Sequence, residues 1–235
     1  MLLDALASTV ERFVPLDASE EFLPTTAEAV ASEYPRVLVD ALAGDFERDL
    51  DSLPTGRSRL IALLGSTIGN LHPSRRLRFL SAVADTLSAD DTFLVGVDLV
   101  KDVARLEAAH NDTRGVTEAF VRNALAAVNL ELGATCDQRS FVYDARWDPE
   151  REWMDIGFRA RHAHTVSLRG LELDVAFERD EPLRVEVSAK FRRKRFESEA
   201  RRAGLDVESW WTDAAGDFAV ALMVATDAAP DRAPT

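Results

Sequence analysis

The chain has 235 residues, 46% hydrophobic and 29% charged, and a formal net charge of −13. That length fits one large domain or a core with an appended lobe, and the negative charge disfavours nucleic acid and anionic membrane surfaces as partners. A lone cysteine, Cys136, excludes an intrachain disulfide and points to a reducing cytoplasm, and no apolar run approaches the ~20 residues of a membrane span.

The opening segment MLLDALASTVERF reads as the last turns of a helix, not as a signal peptide, because Asp4 interrupts its apolar residues. RFVPLD (12–17) reads as a short strand ending in an acid. Residues 18–34 have helical spacing after a Ser19 cap, with Pro24 as an irregularity. RVLVDALAGDF (36–46) reads as a strand running into a turn. RLIALLG (59–65) is a continuous apolar run of the kind buried on both faces of a parallel sheet. Residues 73–87 form an amphipathic helix with proline in its first turn. DTFLVGVDLV (91–100) is the next buried strand. Alternating β and α units of this length predict a parallel sheet flanked by helices.

The pattern then changes. Residues 101–132 are mostly helical, with a break at 111–117, and 136–190 are strand-rich. Residues 190–205 read as a helix ending near Gly204, and 206–213 and 217–225 as an antiparallel pair. The division expected is a Rossmann-like core over 1–132, an inserted lobe over 133–190, elements completing the core over 191–225, and a disordered tail over 226–235.

Ligands of open α/β sheets bind outside the carboxyl ends of the parallel strands. The residues there are Asp17, Asp45-Phe46, Gly65 to Asn70, and Asp98. Asp17 could accept from ribose hydroxyls, or cap the following helix. Asp45 and Phe46 could meet an adenine ring, or serve as a cap and a core residue. In LLGSTIGN (63–70) the glycines let backbone approach a ligand, and Asn70 offers both a donor and an acceptor. Strand-to-helix turns also use these residues for conformational reasons alone.

The ordered set LLGSTIGN, DLVKD (98–102), GVTEAF (115–120), VNLELGA (128–134), WDPEREW (147–153), VEVSAKF (185–191) and WWTDAAGDFAVAL (210–222) carries a stronger signal. It resembles the S-adenosylmethionine-dependent histidine Nα-methyltransferases of ergothioneine biosynthesis, over roughly residues 1–224. The resemblance implies a class I methyltransferase core with a substrate lobe. It implies three methyl transfers to the α-amine of histidine, with S-adenosylmethionine as cofactor and no metal. By the same resemblance Asp17 holds the ribose, Asp45 and Phe46 the adenine, and Gly65 lines the cofactor site. Asn70 holds the amino-acid end of the substrate, and Glu186 and Ser188 face its imidazole.

Three departures accompany the resemblance. The family's first strand and its Gly-rich loop have no counterpart before Asp17, and that strand belongs between the segments 12–17 and 59–65, so a truncated reading frame, a wrongly chosen start or a fragment is expected. His110 stands where the family has a substrate-holding tyrosine, and can still donate a hydrogen bond. Ile156 stands where a pocket methionine is expected. Rival readings are an inactive remnant of the family and a methyltransferase for another small amine. His162 and His164 share a strand face without a third metal ligand nearby. Arg192 to Arg195 read as a solvated helix face, Cys136 as a small buried residue, and Trp210-Trp211 as core.

Overall fold

The structure is a computed structural model that describes residues 2–6, 8–56 and 58–226. Beyond Thr226, the tail expected to be disordered lies outside the described residues. The chain opens with α1 (Leu2–Leu6), β1 (Arg12–Phe13), β2 (Leu16–Asp17), α2 (Leu23–Glu33), β3 (Leu38–Val39) and β4 (Leu42–Ala43). It continues through β5 (Leu60–Leu63), α3 (Pro73–Thr86) and β6 (Thr92–Asp98). Next come α4 (Val103–His110), α5 (Val116–Leu132), β7 (Phe141–Asp148), β8 (Trp153–Ala160), β9 (His164–Leu168), β10 (Leu173–Phe177) and β11 (Pro182–Ala189). The chain closes with α6 (Arg193–Arg202), β12 (Leu205–Thr212) and β13 (Phe218–Ala225).

The main sheet has the order β12-β13-β6-β5. Strand β5 runs parallel to β6, while β13 is antiparallel to both β6 and β12. The segments 12–17 and 38–43 form two short parallel ladders, β1 with β3 and β2 with β4. Each was expected as one strand. Pro15 has no N–H to give, so the ladder is interrupted beside it, although its carbonyl accepts from Leu42 N at 2.9 Å. Helix α2 starts at Leu23, later than expected, with Pro24 in its first turn. Ser19 Oγ accepts from Phe22 N at 3.4 Å, ahead of the helix and not as its cap.

Strand β6 is buried from Phe93 to Val97. It packs with Phe79, Leu80 and Val83 of α3, Phe196 and Ala200 of α6, and Ala219, Ala221 and Met223 of β13. Strand β5 departs from expectation. Leu60 is 39% exposed, and Leu64 just beyond the strand is 46% exposed. Among the described residues β5 pairs only with β6 and leaves its other edge open. A strand is buried on both faces only when neighbours and helices cover it, and here that cover is partial.

The strand-rich lobe contains an antiparallel sheet, β11-β8-β7, and the hairpin β9–β10. Its core gathers Phe141, Met154, Ile156, Phe158 and Phe177, together with Leu106 of α4 and Val121 and Leu125 of α5. Strand β11 joins the two cores. Leu183 and Val185 pack on the lobe core, and Val187 and Ala189 on the main one. Trp210 packs against the main core, but Trp211 is 53% exposed, so only one of the pair serves the core.

Candidate active site

The segment after β5 turns sharply. Gly65 and Ser66 both take positive φ, +78° and +62°, a conformation that costs glycine little. A single helical turn, Thr67–Asn70, follows. Ser66 Oγ accepts from Asp98 N at 2.9 Å, which ties the loop to the end of β6. Gly69 is buried, and a Cβ there would stand 2.9 Å from the Ala189 carbonyl oxygen. The turn therefore lies directly on the backbone of β11. Asn70, at its end, remains exposed.

Strand β11 carries the lobe's contribution. Its register with β8 shifts between Arg184 and Glu186, so Val185 is an extra residue opposite the pair Gly157 and Ile156. A β-bulge of this kind re-aims the side chains that follow it. Beyond it Glu186 lies opposite Ile156, and Ser188 opposite Met154. Residues two apart share a strand face, so Glu186 and Ser188 point the same way. Both are half-buried. Burial raises the Glu186 carboxyl above the usual carboxylate range, and the Lys190 charge opposes that rise. Ile156 is fully buried in the lobe core, one strand behind Glu186.

Lys190 closes the strand. Its side chain is 2% exposed, and its Nζ lies 2.8 Å from Asp98 Oδ2 and donates to Ser188 Oγ at 2.8 Å. The other Asp98 oxygen pairs with Lys101 Nζ at 2.6 Å. Burial pushes the Lys190 ammonium down from its ordinary range, and Asp98 pulls it back up. Burial pushes Asp98 upward too, but its two lysines outweigh that and hold it below the usual range. Backbone bonds stitch the junction, Phe191 N to Asp98 O at 2.8 Å and Val100 N to Phe191 O at 3.1 Å.

His110 ends α4. Its Nδ1 lies 2.9 Å from the Leu106 carbonyl oxygen, so Nδ1 carries the proton and donates. Burial lowers its pKa and favours the neutral ring. The donation expected of His110 toward a substrate is thus spent on its own helix, and a neutral Nε2 is an acceptor. Tyr143 Oη donates to the His110 carbonyl at 2.8 Å.

The remaining strand ends belong to the two short ladders. Asp17 is exposed at the end of β2, and its Oδ1 accepts from Ser19 N at 2.8 Å. Asp45 follows β4, and its Oδ1 accepts from Glu47 N at 2.9 Å. Gly44 N donates to Asp17 O at 3.0 Å, which sets the two ends side by side. Phe46 packs edge-on against Phe79, with ring centroids 5.5 Å apart.

Sequence reasoning placed Asp98 at a strand end without giving it a role, and passed over Lys190 and Lys101 as members of the site. The available signal was a lysine two residues past Ser188 in VEVSAKF, on the same strand face. His162 and His164 have ring centroids 5.2 Å apart, and His164 stacks on Phe177. Among the described residues no cluster of three or more metal-ligating side chains forms, and no helix is long and apolar enough to cross a membrane. Arg192 and Arg195 both reach Glu152, at 2.5 and 2.9 Å.

Comparisons with known proteins agree with one another. Residues 1–225 match a family model described as histidine-specific, S-adenosylmethionine-dependent methyltransferase. The chain is 46% identical over 226 residues to a histidine N-alpha-methyltransferase of Mycolicibacterium smegmatis, covering 95% of this chain and 70% of the relative. It is 45% identical over 224 residues to the protein of the same name from Mycobacterium tuberculosis, covering 94% and 70%. Ergothioneine biosynthesis protein 1 of Neurospora crassa is 32% identical over 232 residues, covering 90% of this chain and 24% of that protein. Among solved structures, an S-adenosylmethionine-dependent methyltransferase from Clostridium acetobutylicum aligns with a TM-score of 0.51 at 11% identity, covering 96% of this chain and 79% of that one. That likeness shows the fold, a class I methyltransferase core.

Proposed function

Because the chain belongs to the family of histidine-specific, S-adenosylmethionine-dependent methyltransferases, we propose that it methylates the α-amine of histidine, three times in succession. The observation that carries this reading is the contact of Gly69 with Ala189. It brings the Asn70 turn of the core against the strand that presents Glu186 and Ser188 from the lobe.

The residues at the strand ends fit the cofactor. Asp17 offers an exposed carboxylate suited to a ribose diol. Asp45 and the half-exposed Phe46 offer an acceptor and an aromatic face for adenine. Gly65 leaves open space, since a Cβ there would meet only Thr67 Oγ1 at 4.0 Å. When bound, S-adenosylmethionine supplies a methyl group already activated by its positively charged sulfur.

The protein's part is alignment and exclusion of water. Asn70 has an amide that accepts from an amine and donates to a carboxylate. Glu186 and Ser188 hold the ring from one strand face, so the amine is fixed at a set distance from them. Ile156 supports that face from the neighbouring strand. His110, neutral and with a free acceptor nitrogen, suits an N–H of the substrate better than its carboxylate. The amine must lose its proton before it attacks, and exposed Asn70 leaves solvent a path to take it.

Calorimetry with S-adenosylhomocysteine, followed by histidine, tests the reading. Binding of both, with mono-, di- and trimethylated histidine detected by mass spectrometry when S-adenosylmethionine is supplied, is the expected result. Binding of neither, by a folded sample, overturns it.

A further inference from the structure

We propose that Lys190 is a positioning residue that fixes the hydrogen-bond polarity of Ser188, so that β11 selects a neutral ring with one N–H and one acceptor nitrogen. The inference rests on the histidine reading above and deepens it.

An ammonium has three donors and no acceptor, whereas a serine hydroxyl has one donor and two lone pairs. Lys190 Nζ, 2.8 Å from Ser188 Oγ, therefore occupies a lone pair of that hydroxyl. The Ser188 proton must point elsewhere, and among the described residues no acceptor takes it. Glu186, on the same strand face two residues earlier, is an acceptor when ionised. The strand thus offers one acceptor, from Glu186, and one donor, from Ser188. A neutral imidazole presents the complement. An imidazolium has two donors, and to take one of them Ser188 would have to turn its proton away and accept a second cationic N–H beside the Lys190 ammonium.

Lys190 has two other roles to offer, and neither accounts for it. Charge balance at Asp98 does not need it, since Lys101 already pairs with the other carboxylate oxygen at 2.6 Å. Tethering of β11 to β6 does not need it either. The bonds from Phe191 N to Asp98 O and from Val100 N to Phe191 O make that join through backbone alone. Burying an ammonium is costly, and burial is kept where the charge has a specific partner. Asp98 Oδ2, 2.8 Å from the Lys190 Nζ, anchors the ammonium that reaches Ser188 Oγ.

The test measures a ratio of affinities in the presence of S-adenosylhomocysteine. The ligands are histidine and pyrrolylalanine, whose ring keeps the N–H but has carbon in place of the acceptor nitrogen. The wild-type chain is expected to prefer histidine by about 10- to 100-fold, the range for one lost hydrogen bond that leaves its partner unpaired. Lys190→Met is expected to bring the ratio within about threefold, because loss of the cationic donor frees that Ser188 lone pair and lets the hydroxyl turn to suit either ring. Lys190→Gln, which keeps one donor, is expected to restore most of the preference. A purely structural lysine would change stability in both variants and leave the ratio alone, and that result overturns the proposal.

Nitrogen NMR of isotope-labelled histidine bound to the wild-type chain gives a second readout should Lys190→Met fail to fold. One protonated and one unprotonated ring nitrogen are expected, and a bound imidazolium overturns the inference. A wild-type chain that binds S-adenosylhomocysteine but no histidine sinks the underlying reading and this inference together. Histidine binding with an unaltered ratio in both variants sinks this inference alone.

Discussion

Gly69 lies against the backbone of Ala189, so closely that a single methyl group at Gly69 would stand 2.9 Å from the Ala189 carbonyl oxygen. Through this contact the loop after β5 and the last strand of the lobe share one boundary. Gly69→Ala must push the Asn70 turn away from Glu186 and Ser188. Histidine affinity should fall by roughly tenfold or more, and stability by about 1–3 kcal/mol, as for other overpacked sites. S-adenosylhomocysteine affinity should change less, because Asp17 and Asp45 sit on other strands. Calorimetry with each ligand checks the split, and equal losses for both would count against it.

Gly157 faces the bulge in β11. A Cβ there would fall 2.1 Å from the Leu183 carbonyl oxygen, a backbone atom with no flexible end to yield. Gly157→Ala should cost about 3 kcal/mol or more, at the upper end of overpacking. The same change disturbs the step that re-aims Glu186. Urea melts should show the destabilisation, and histidine binding should weaken alongside.

Asp91 and Arg59 join the beginnings of β5 and β6. Asp91 is 1% exposed and accepts from Arg59 N at 2.6 Å, Arg59 Nε at 3.0 Å and Ser88 N at 2.8 Å. Burial would raise its carboxyl, but these donors and the guanidinium charge hold it at about 2. The unfolded carboxyl titrates near 3.8, so between those values the unfolded chain binds more protons than the folded one. The stabilisation is fully present above about pH 4 and is lost as pH falls toward about 2. Asp91→Asn should flatten that acid limb in denaturant melts across pH, and should cost about 3–5 kcal/mol near neutrality by leaving the Arg59 guanidinium without its carboxylate, with the Thr86 and Pro54 carbonyls as remaining partners.

His110 gives a pH dependence in a different window. Its folded pKa is lowered by burial from the ordinary 6.5, so the unfolded chain protonates first. Stability from this group is present above 6.5 and declines as pH falls below it. His110→Asn should reduce the slope of melting temperature against pH just below neutrality. An unchanged slope would place the titration elsewhere.

Asp17→Asn separates the cofactor end from the substrate end. A charge-assisted hydrogen bond to a ribose hydroxyl contributes about 1.5–3 kcal/mol, so S-adenosylhomocysteine affinity should fall by roughly ten- to a hundredfold. Thermal stability without ligand should barely change, since Asp17 is exposed and its Oδ1 accepts from the nearby Ser19 N, two residues on. Calorimetry and a melt of the same sample read both quantities.

Much of this was decided locally and could be read in the chain. The β–α alternation, the helix Pro73–Thr86, the buried strand ending at Asp98 and the terminal pair around Asp213–Gly216 follow from hydrophobic period and turn residues. Those act within a few residues of each other, so sequence alone determines them. The strand-end positions of Asp17, Asp45 and Asn70 follow in the same way. What tertiary structure decided involves partners distant in sequence. The interruption at Pro15 depends on which strand lies opposite. The half-exposure of β5, whose sequence is apolar throughout, depends on neighbours that cover or leave an edge. The contact of Gly69 with Ala189, the bulge opposite Gly157, and the ammonium of Lys190 between Ser188 and Asp98 each bring together groups set by packing of the lobe on the core. No local period encodes such a meeting, because its energy comes from burial and hydrogen bonds formed only after both elements are in place.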